Sequence, residues 1–296
     1  MKAYYCDHFV LPLPENHSFP MAKYRKLREL VLADGIIRPE DLLEPAAATR
    51  DQLELVHDPA YVDAVFNGTL PPEQQRRVGF PWSPGMVERS RRSVGGTIAA
   101  ARTAILEGSA ANLAGGTHHA FADRGEGYCV FNDIAVAARV LQQDGAVERI
   151  AVIDCDVHQG NGTASIFRDD PSVFTFSIHG EKNFPFRKET SDLDVMLPDG
   201  TADEDYLAIL EPSVHTVLHR QRPEFVFYLA GADPYEGDRL GRLAVTIEGL
   251  KARDKIVFDL CAGIPTALVM GGGYCPDTDI IARIHANSIA MLAARD

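Results

Sequence analysis

The segment Ile150-Ala-Val-Ile-Asp154-Cys-Asp156-Val-His158-Gln-Gly160-Asn161-Gly162 gathers the groups in this chain best able to do chemistry. An apolar, β-branched run of strand length breaks into acid, acid and histidine, and such runs read as buried strands of a parallel sheet. If the backbone stays extended through Asp154, Asp156 and His158, their side chains share one face, and Cys155 and Val157 point the other way. A carboxylate and an imidazole two residues apart at a strand end can both reach one metal ion. The glycines that follow let the chain turn sharply beside them. The plainer alternative is a polar loop after a buried strand.

Three other polar clusters follow apolar runs: Gly115-Gly-Thr-His118-His119, Gly231-Ala-Asp233 and Gly271-Gly-Gly-Tyr274. Asp156, His158 and Asp233 together supply two carboxylates and an imidazole. Three protein ligands with room for water describe a catalytic zinc site, and the same donors suit iron(II). A structural zinc site would more often be closed by four ligands, cysteine among them. Such a metal lowers the pKa of a water it binds from about 15.7 to about 7 and polarises a carbonyl. His118 and His119 then read as a proton shuttle, or as two loop histidines making local hydrogen bonds. Tyr274 reads as a phenol donor to an oxyanion, or as part of a plain tight turn. Taken together, the residues describe metal-assisted hydrolysis of an amide or ester.

For that chemistry, remote segments must meet. Strand candidates at residues 2–6, 53–57, 111–114, 150–154, 172–178, 225–230 and 266–270 alternate with helix candidates at 21–33, 85–108, 203–220, 246–261 and 278–294. Pro39 opens a further short helix, Asp58-Pro another, and Asn132 or Asp133 caps one that runs to about Gln143. The stretches His8–Pro20, Pro71–Pro84 and His179–Gly200 read as loops. Strands alternating with helices predict an α/β fold: one domain over residues 1–296, with a mostly parallel central sheet and helices on both faces. In such sheets ligands sit beyond the carboxyl ends of the strands, so all four clusters are expected at one edge.

Composition narrows the class. Of 296 residues, 46% are hydrophobic, with no apolar run long enough to span a bilayer and too short an apolar N-terminal segment for a secretory signal. Five cysteines with no C-x-x-C pair predict reduced thiols and a cytoplasmic protein. A formal net charge of −13 argues against nucleic acid as a partner and is compatible with a cationic one.

The four clusters, with Gly127-Tyr128-Cys129 and Gln159-Gly160-Asn161-Gly162, resemble the zinc-dependent histone deacetylases and their bacterial relatives, in the family's order and over nearly the whole chain. Finer features are similar to the class IV branch: Arg89-Ser-Arg-Arg-Ser-Val-Gly95-Gly96-Thr97, Glu236-Gly-Asp-Arg-Leu-Gly241, His17-Ser-Phe-Pro20-Met-Ala-Lys-Tyr24 and Val56-His57. The resemblance implies an arginase–deacetylase fold and removal of an acyl group from the ε-amine of lysine. By motif position Asp156, His158 and Asp233 would bind Zn2+ or Fe2+, and His119 would be the main acid and base, with His118 its electrostatic partner. Asp154 and Asn161 would orient the two histidines, and Tyr274 would donate to the substrate carbonyl. Gly127, Tyr128 and Phe184 would line a tunnel for the lysine stem. A structural K+ would use Asp154, Asp156 and His158 with Ser177 and Ile178. Gln159 and Asn161 depart from the class I pattern, which has a second histidine and an aspartate there. An amide at Asn161 holds a ring nitrogen without adding charge. Competing readings are an amidohydrolase for small acylated amines such as acetylated polyamines, and a non-catalytic metal-binding module. An arginase-like two-manganese enzyme is disfavoured, because position 160 is glycine where a further aspartate is needed.

Overall fold

The computed structural model describes every residue except 8, 12, 15, 16 and 296. Its strands are β1 (Lys2–Tyr4), β2 (Leu42–Leu43), β3 (Ser109–Asn112), β4 (Ile150–Asp154), β5 (Val173–Gly180), β6 (Leu193–Leu197), β7 (Phe225–Leu229) and β8 (Thr266–Val269). They form one eight-stranded sheet in the order β2-β1-β3-β8-β7-β4-β5-β6. Every pair is parallel. The helices are α1 (Ala22–Ala33), α2 (Arg50–Leu53), α3 (Pro59–Asn67), α4 (Pro72–Val78), α5 (Pro84–Glu107), α6 (Asp133–Gln143), α7 (Asn161–Phe167), α8 (Asp203–Gln221), α9 (Ile247–Leu260) and α10 (Thr278–Ala293).

Strand alternation divides the interior in two. Ile150, Val152, Phe225 and Phe227 join a core with Val94 and Ile98 of α5 and Val136 and Val140 of α6. Their neighbours Ala151, Ile153, Val226 and Tyr228 join a second core with Leu27 of α1, Leu210 of α8, Val257 of α9 and Ile289 of α10. With helices on both faces the central strands are buried throughout, which is why they read as continuous apolar runs. The ladder of β4 stops at Asp154, two residues short of Asp156. The alternation outlasts it, since Cys155 and Val157 are buried in the second core.

Several local expectations fail, each for a physical reason. Residues 53–57 are not a strand. Thr49 opens α2 with a reciprocal cap, accepting from the Gln52 amide (3.2 Å) while its own amide donates to Gln52 Oε1 (2.9 Å). Pro39–Asp41 makes only one 3-10 turn before β2. The stretch Pro71–Pro84 contains α4, started by Pro72 at its first position and ended by Gly79 at φ 82°. The loop expected at His179–Gly200 yields its start to β5 and its middle to the edge strand β6. Helix α7 was not anticipated. Within the loop expected at His8–Pro20, His8, Pro12, Glu15 and Asn16 lie outside the described residues.

His57, in the turn after α2, joins two loops. Its Nδ1 donates to the Phe121 carbonyl (2.9 Å) and its Nε2 accepts from the Asn132 amide (3.0 Å), which fixes a neutral ring. Burial pushes its pKa down to about 4. A histidine depressed in the native state stabilises above its unfolded pKa and loses that contribution as pH falls from about 6.5 through 4. The loss is expected to reach roughly 3 kcal/mol, at about 1.4 kcal/mol per unit. Urea unfolding of wild type and His57→Gln between pH 7.5 and 4 checks this, and an equal acid slope in both proteins would refute it.

Candidate active site

The four polar clusters leave the sheet on neighbouring strands. His118 and His119 follow β3, Tyr274 follows β8, Asp233 follows β7, and Asp156 and His158 follow β4, the strands adjacent in the order β3-β8-β7-β4. Sequence separation of more than a hundred residues thus collapses to one sheet edge.

Asp156, His158 and Asp233 each present an atom within 4.8 Å of the others, and all three residues are buried. His158 Nδ1 lies 2.9 Å from Asp156 Oδ1 and 3.2 Å from Asp233 Oδ2. Asp156 Oδ2 accepts from the Gly272 amide (2.7 Å) and Asp233 Oδ1 from the Val157 amide (2.9 Å). Asp233 Oδ2 makes no hydrogen bond although fully buried. Burial, reinforced by Asp156, raises the Asp233 pKa to about 7. Two buried carboxylates converging on one ring nitrogen favour positive charge between them, as a ring proton or a metal ion, and the donor set of two carboxylates and an imidazole fits a metal. The approach requires glycine at 272, because a Cβ there would collide with Asp233 Oδ2.

Behind this group the two histidines stand 4.1 Å apart, centroid to centroid. His118 Nδ1 is 2.6 Å from Asp154 Oδ2, and His119 Nδ1 is 2.7 Å from Asn161 Oδ1. The partners separate the two rings electrostatically. Burial alone would depress His118, but Asp154 and Asp156 outweigh it and lift its pKa to about 9. His119 is held well below its ordinary value by burial and by the positive charge of His118 and His158, and Asn161 offers no charge in return. The surroundings thus push the two rings in opposite directions, His118 toward its charged form and His119 toward its neutral one.

Tyr274 is clamped by its backbone. Its amide donates to Asp238 Oδ2 (2.5 Å), and its carbonyl accepts from Arg239 Nε (2.9 Å). Its ring lies 6.2 Å from His158 and 6.1 Å from Tyr128. Sequence reasoning missed Lys23, which is 2% exposed, donates to the Gly271 and Gly273 carbonyls (3.3 and 3.4 Å) and lies 5.5 Å over the Tyr274 ring. Its signal was available, since Lys23, Leu27 and Val31 share the buried stripe of α1. Asp133 was read only as a cap, which Asn132 in fact provides. The buried Asp133 carboxylate instead accepts from Gly116 N, Thr117 N, Thr117 Oγ1 and Thr97 Oγ1, and so pins the loop before His118. Arg89 and Ser93 line a small inner cavity of about 40 Å³ beyond the histidines.

Gly127, Tyr128 and Phe184 line an open cleft of about 400 Å³ that leads to His119, His158 and Tyr274. The Phe184 ring stands 4.9 Å from His119, nearly perpendicular. A Cβ on Gly127, whose φ is 55°, would come within 2.6 Å of His119 Cδ2, so only glycine keeps the passage open. Tyr128 holds a left-handed φ of 66°, a strained conformation for a bulky residue. Its hydroxyl meets Ser18 Oγ at 2.6 Å. Ser177 and Ile178 are buried on β5, with Ser177 opposite Asp154 of β4 and its Oγ 3.0 Å from His179 Nδ1.

An eight-stranded parallel α/β sheet thus gathers acid, imidazole and phenol at its carboxyl edge. Residues 17–292 match the histone deacetylase domain. Histone deacetylase 2 of Arabidopsis thaliana is 30% identical over 97% of this chain and 76% of its own length. A protein of Picosynechococcus sp. with no assigned function is 50% identical over 99% of this chain and 97% of its own. The crystal structure of a histone deacetylase homologue from Aquifex aeolicus covers all of this chain with 84% of its own, at 26% identity and a TM-score of 0.85. The chain belongs to the histone deacetylase family, whose members are deacetylase hydrolases.

Proposed function

We propose that this protein removes acyl groups, acetyl or longer, from the ε-amine of lysine, as a class IV-like member of its family acting in the cytoplasm. The observation that carries the reading is the meeting of the Asp156, His158, Asp233 group with an oriented histidine pair at the end of the cleft. Asp156, His158 and Asp233 would hold zinc, or iron(II), which when bound would polarise an amide carbonyl and acidify water. His119, held by Asn161, takes a proton from the attacking water and returns it to the departing amine. His118, held by Asp154, supplies a fixed positive charge beside it. Tyr274 donates its hydroxyl to the carbonyl oxygen as negative charge develops there. Its hydroxyl makes no hydrogen bond to any other described residue, so it is free to do so. Gly127, Tyr128 and Phe184 flank the acyl-lysine stem. Ser177 and Ile178, with Asp154, Asp156 and His158, would hold a structural K+. Five buried, unpaired cysteines support a reducing compartment.

The test is acyl release from acetyl-lysine and long-chain acyl-lysine peptides, before and after chelation. Release that chelation abolishes and zinc restores supports the reading, and the ratio of the two rates gives the acyl preference. No release by metal-loaded protein sinks it. Tyr274→Phe is expected to keep its metal and lose about 10²- to 10³-fold in kcat, the scale for one oxyanion donor. Near-normal turnover would remove that role.

A further inference from the structure

We propose that Arg76 and Arg77 form a cationic lip at the mouth of the cleft that selects acyl-lysine with acidic neighbours over acylated polyamines. The proposal rests on the deacylase reading and names its substrate class. Both arginines line the cleft that ends at His119, His158 and Tyr274. They belong to the last turn of α4, and two backbone bonds fasten that turn to the cleft wall. The Gly127 amide donates to the Arg77 carbonyl (3.0 Å), and the Tyr128 amide to the Val78 carbonyl (2.9 Å). Gln75 Nε2 closes the turn on the Phe80 carbonyl (2.6 Å). The backbone that carries the two charges is therefore fixed beside the residues that would enclose the lysine stem.

Arginine outnumbers carboxylate among the residues lining the cleft, although the chain as a whole carries −13. Arg77 is paired with Glu73 (2.8 Å), while Arg76 is exposed and has no ion-pair or hydrogen-bond partner among the described residues. Glu126 is the one carboxylate among the residues lining the cleft. Beside the lining residue Leu240, Arg239 donates to the Tyr274 and Ser18 carbonyls and Asp238 accepts from the Leu240 and Tyr274 amides, so this neighbouring pair adds no net charge. A helix C-terminus favours basic residues whatever lies nearby, but that does not require them to face a substrate passage. A polyamine bears its remaining ammonium groups just outside the stem, where they meet this lip with like charge. Aspartate or glutamate beside an acyl-lysine meets it with opposite charge. The interaction lies in solvent, so it is worth several-fold in rate rather than orders of magnitude, and salt screens it within about 10 Å at 0.1 M.

The experiment compares kcat/KM for acetyl-lysine peptides flanked by Asp, Gly or Lys, and for acetylated spermidine, on metal-loaded wild type and on Arg76→Glu/Arg77→Glu. Wild type is expected to favour the Asp-flanked over the Lys-flanked peptide by roughly tenfold at low salt, and the ratio should shrink as salt rises. In the variant the ratio should invert. A ratio cancels any loss of folded enzyme, so misfolding cannot imitate the result. Turnover with no charge preference in wild type, or a preference unchanged in the variant, overturns the lip and leaves the deacylase reading standing, whereas acetylated spermidine as the best substrate overturns the lip and moves the reading to small acylated amines. No turnover of any peptide sinks the deacylase reading, and the lip with it.

Discussion

Asp233→Ala is expected to bind metal at least about 100-fold more weakly than the parent and to lose measurable deacylation. Loss of residues that merely orient metal ligands already costs 10- to 100-fold in affinity, and Asp233 would be a ligand itself. Its carboxylate is fully buried, with Oδ2 making no hydrogen bond and lying 3.2 Å from His158 Nδ1, and among the described residues no other metal-ligating side chain joins this group. The alanine also leaves the Val157 amide without its acceptor, at a cost of about 1–3 kcal/mol. Asp233→Asn separates the two effects, since it keeps an oxygen for Val157 and removes the charge. Metal content after dialysis, measured by emission spectroscopy on both variants, is the readout. Stoichiometric metal in the alanine variant would break the ligand assignment.

How far the sequence carried the site follows from what kind of atom does each job. Asp156, His158, Asp233, His118, His119 and Tyr274 stand out because each interrupts an apolar run, and apolar runs are what a sheet covered on both faces demands. Their meeting then needed only the rule that parallel strands share a carboxyl edge, whereas the order of the strands came from the structure. The groups that hold these residues in place were harder to find, because their partners are backbone carbonyls and amides. Lys23 reaches two glycine carbonyls and Asp133 reaches two amides, and a backbone atom has no residue type to betray it. Short elements escaped for another reason. Helix α4 and strand β6 span too few residues for a period to show, and β6, at the sheet edge, is only partly buried. The −13 charge is a sum over the chain and says nothing of the local balance at the cleft, whose lining includes two arginines and one carboxylate.

Arg253 on α9 shows how such hidden support can be measured, and Arg253→Met is expected to cost about 3–5 kcal/mol of stability. The side chain is fully buried and ion-paired with Asp254 at 2.8 Å. Its Nη1 donates to the Gly231 carbonyl (2.6 Å) and the Cys155 carbonyl (3.4 Å), one on each of the two loops that carry Asp233 and Asp156. Asp254 is held in turn by the Tyr228 hydroxyl (2.5 Å) and by Ser288 Oγ. Methionine fills much of the volume but leaves Asp254 as an uncompensated buried charge and the two carbonyls without their donor. The double variant Arg253→Met/Asp254→Asn removes the stranded charge and should recover a substantial part of the loss, because a buried pair is costly mainly when half of it remains. It does not restore the donor to Gly231 and Cys155, so metal affinity and deacylation should stay depressed even where stability returns. Urea unfolding read beside metal titration on both variants distinguishes these effects. A single variant within about 1 kcal/mol of the parent would show that the pair does not support the fold, and unchanged metal affinity in it would show the same for the site. Recovery of stability and metal affinity together in the double variant would show that Arg253 positions nothing, and that its place between the two loops only balances Asp254.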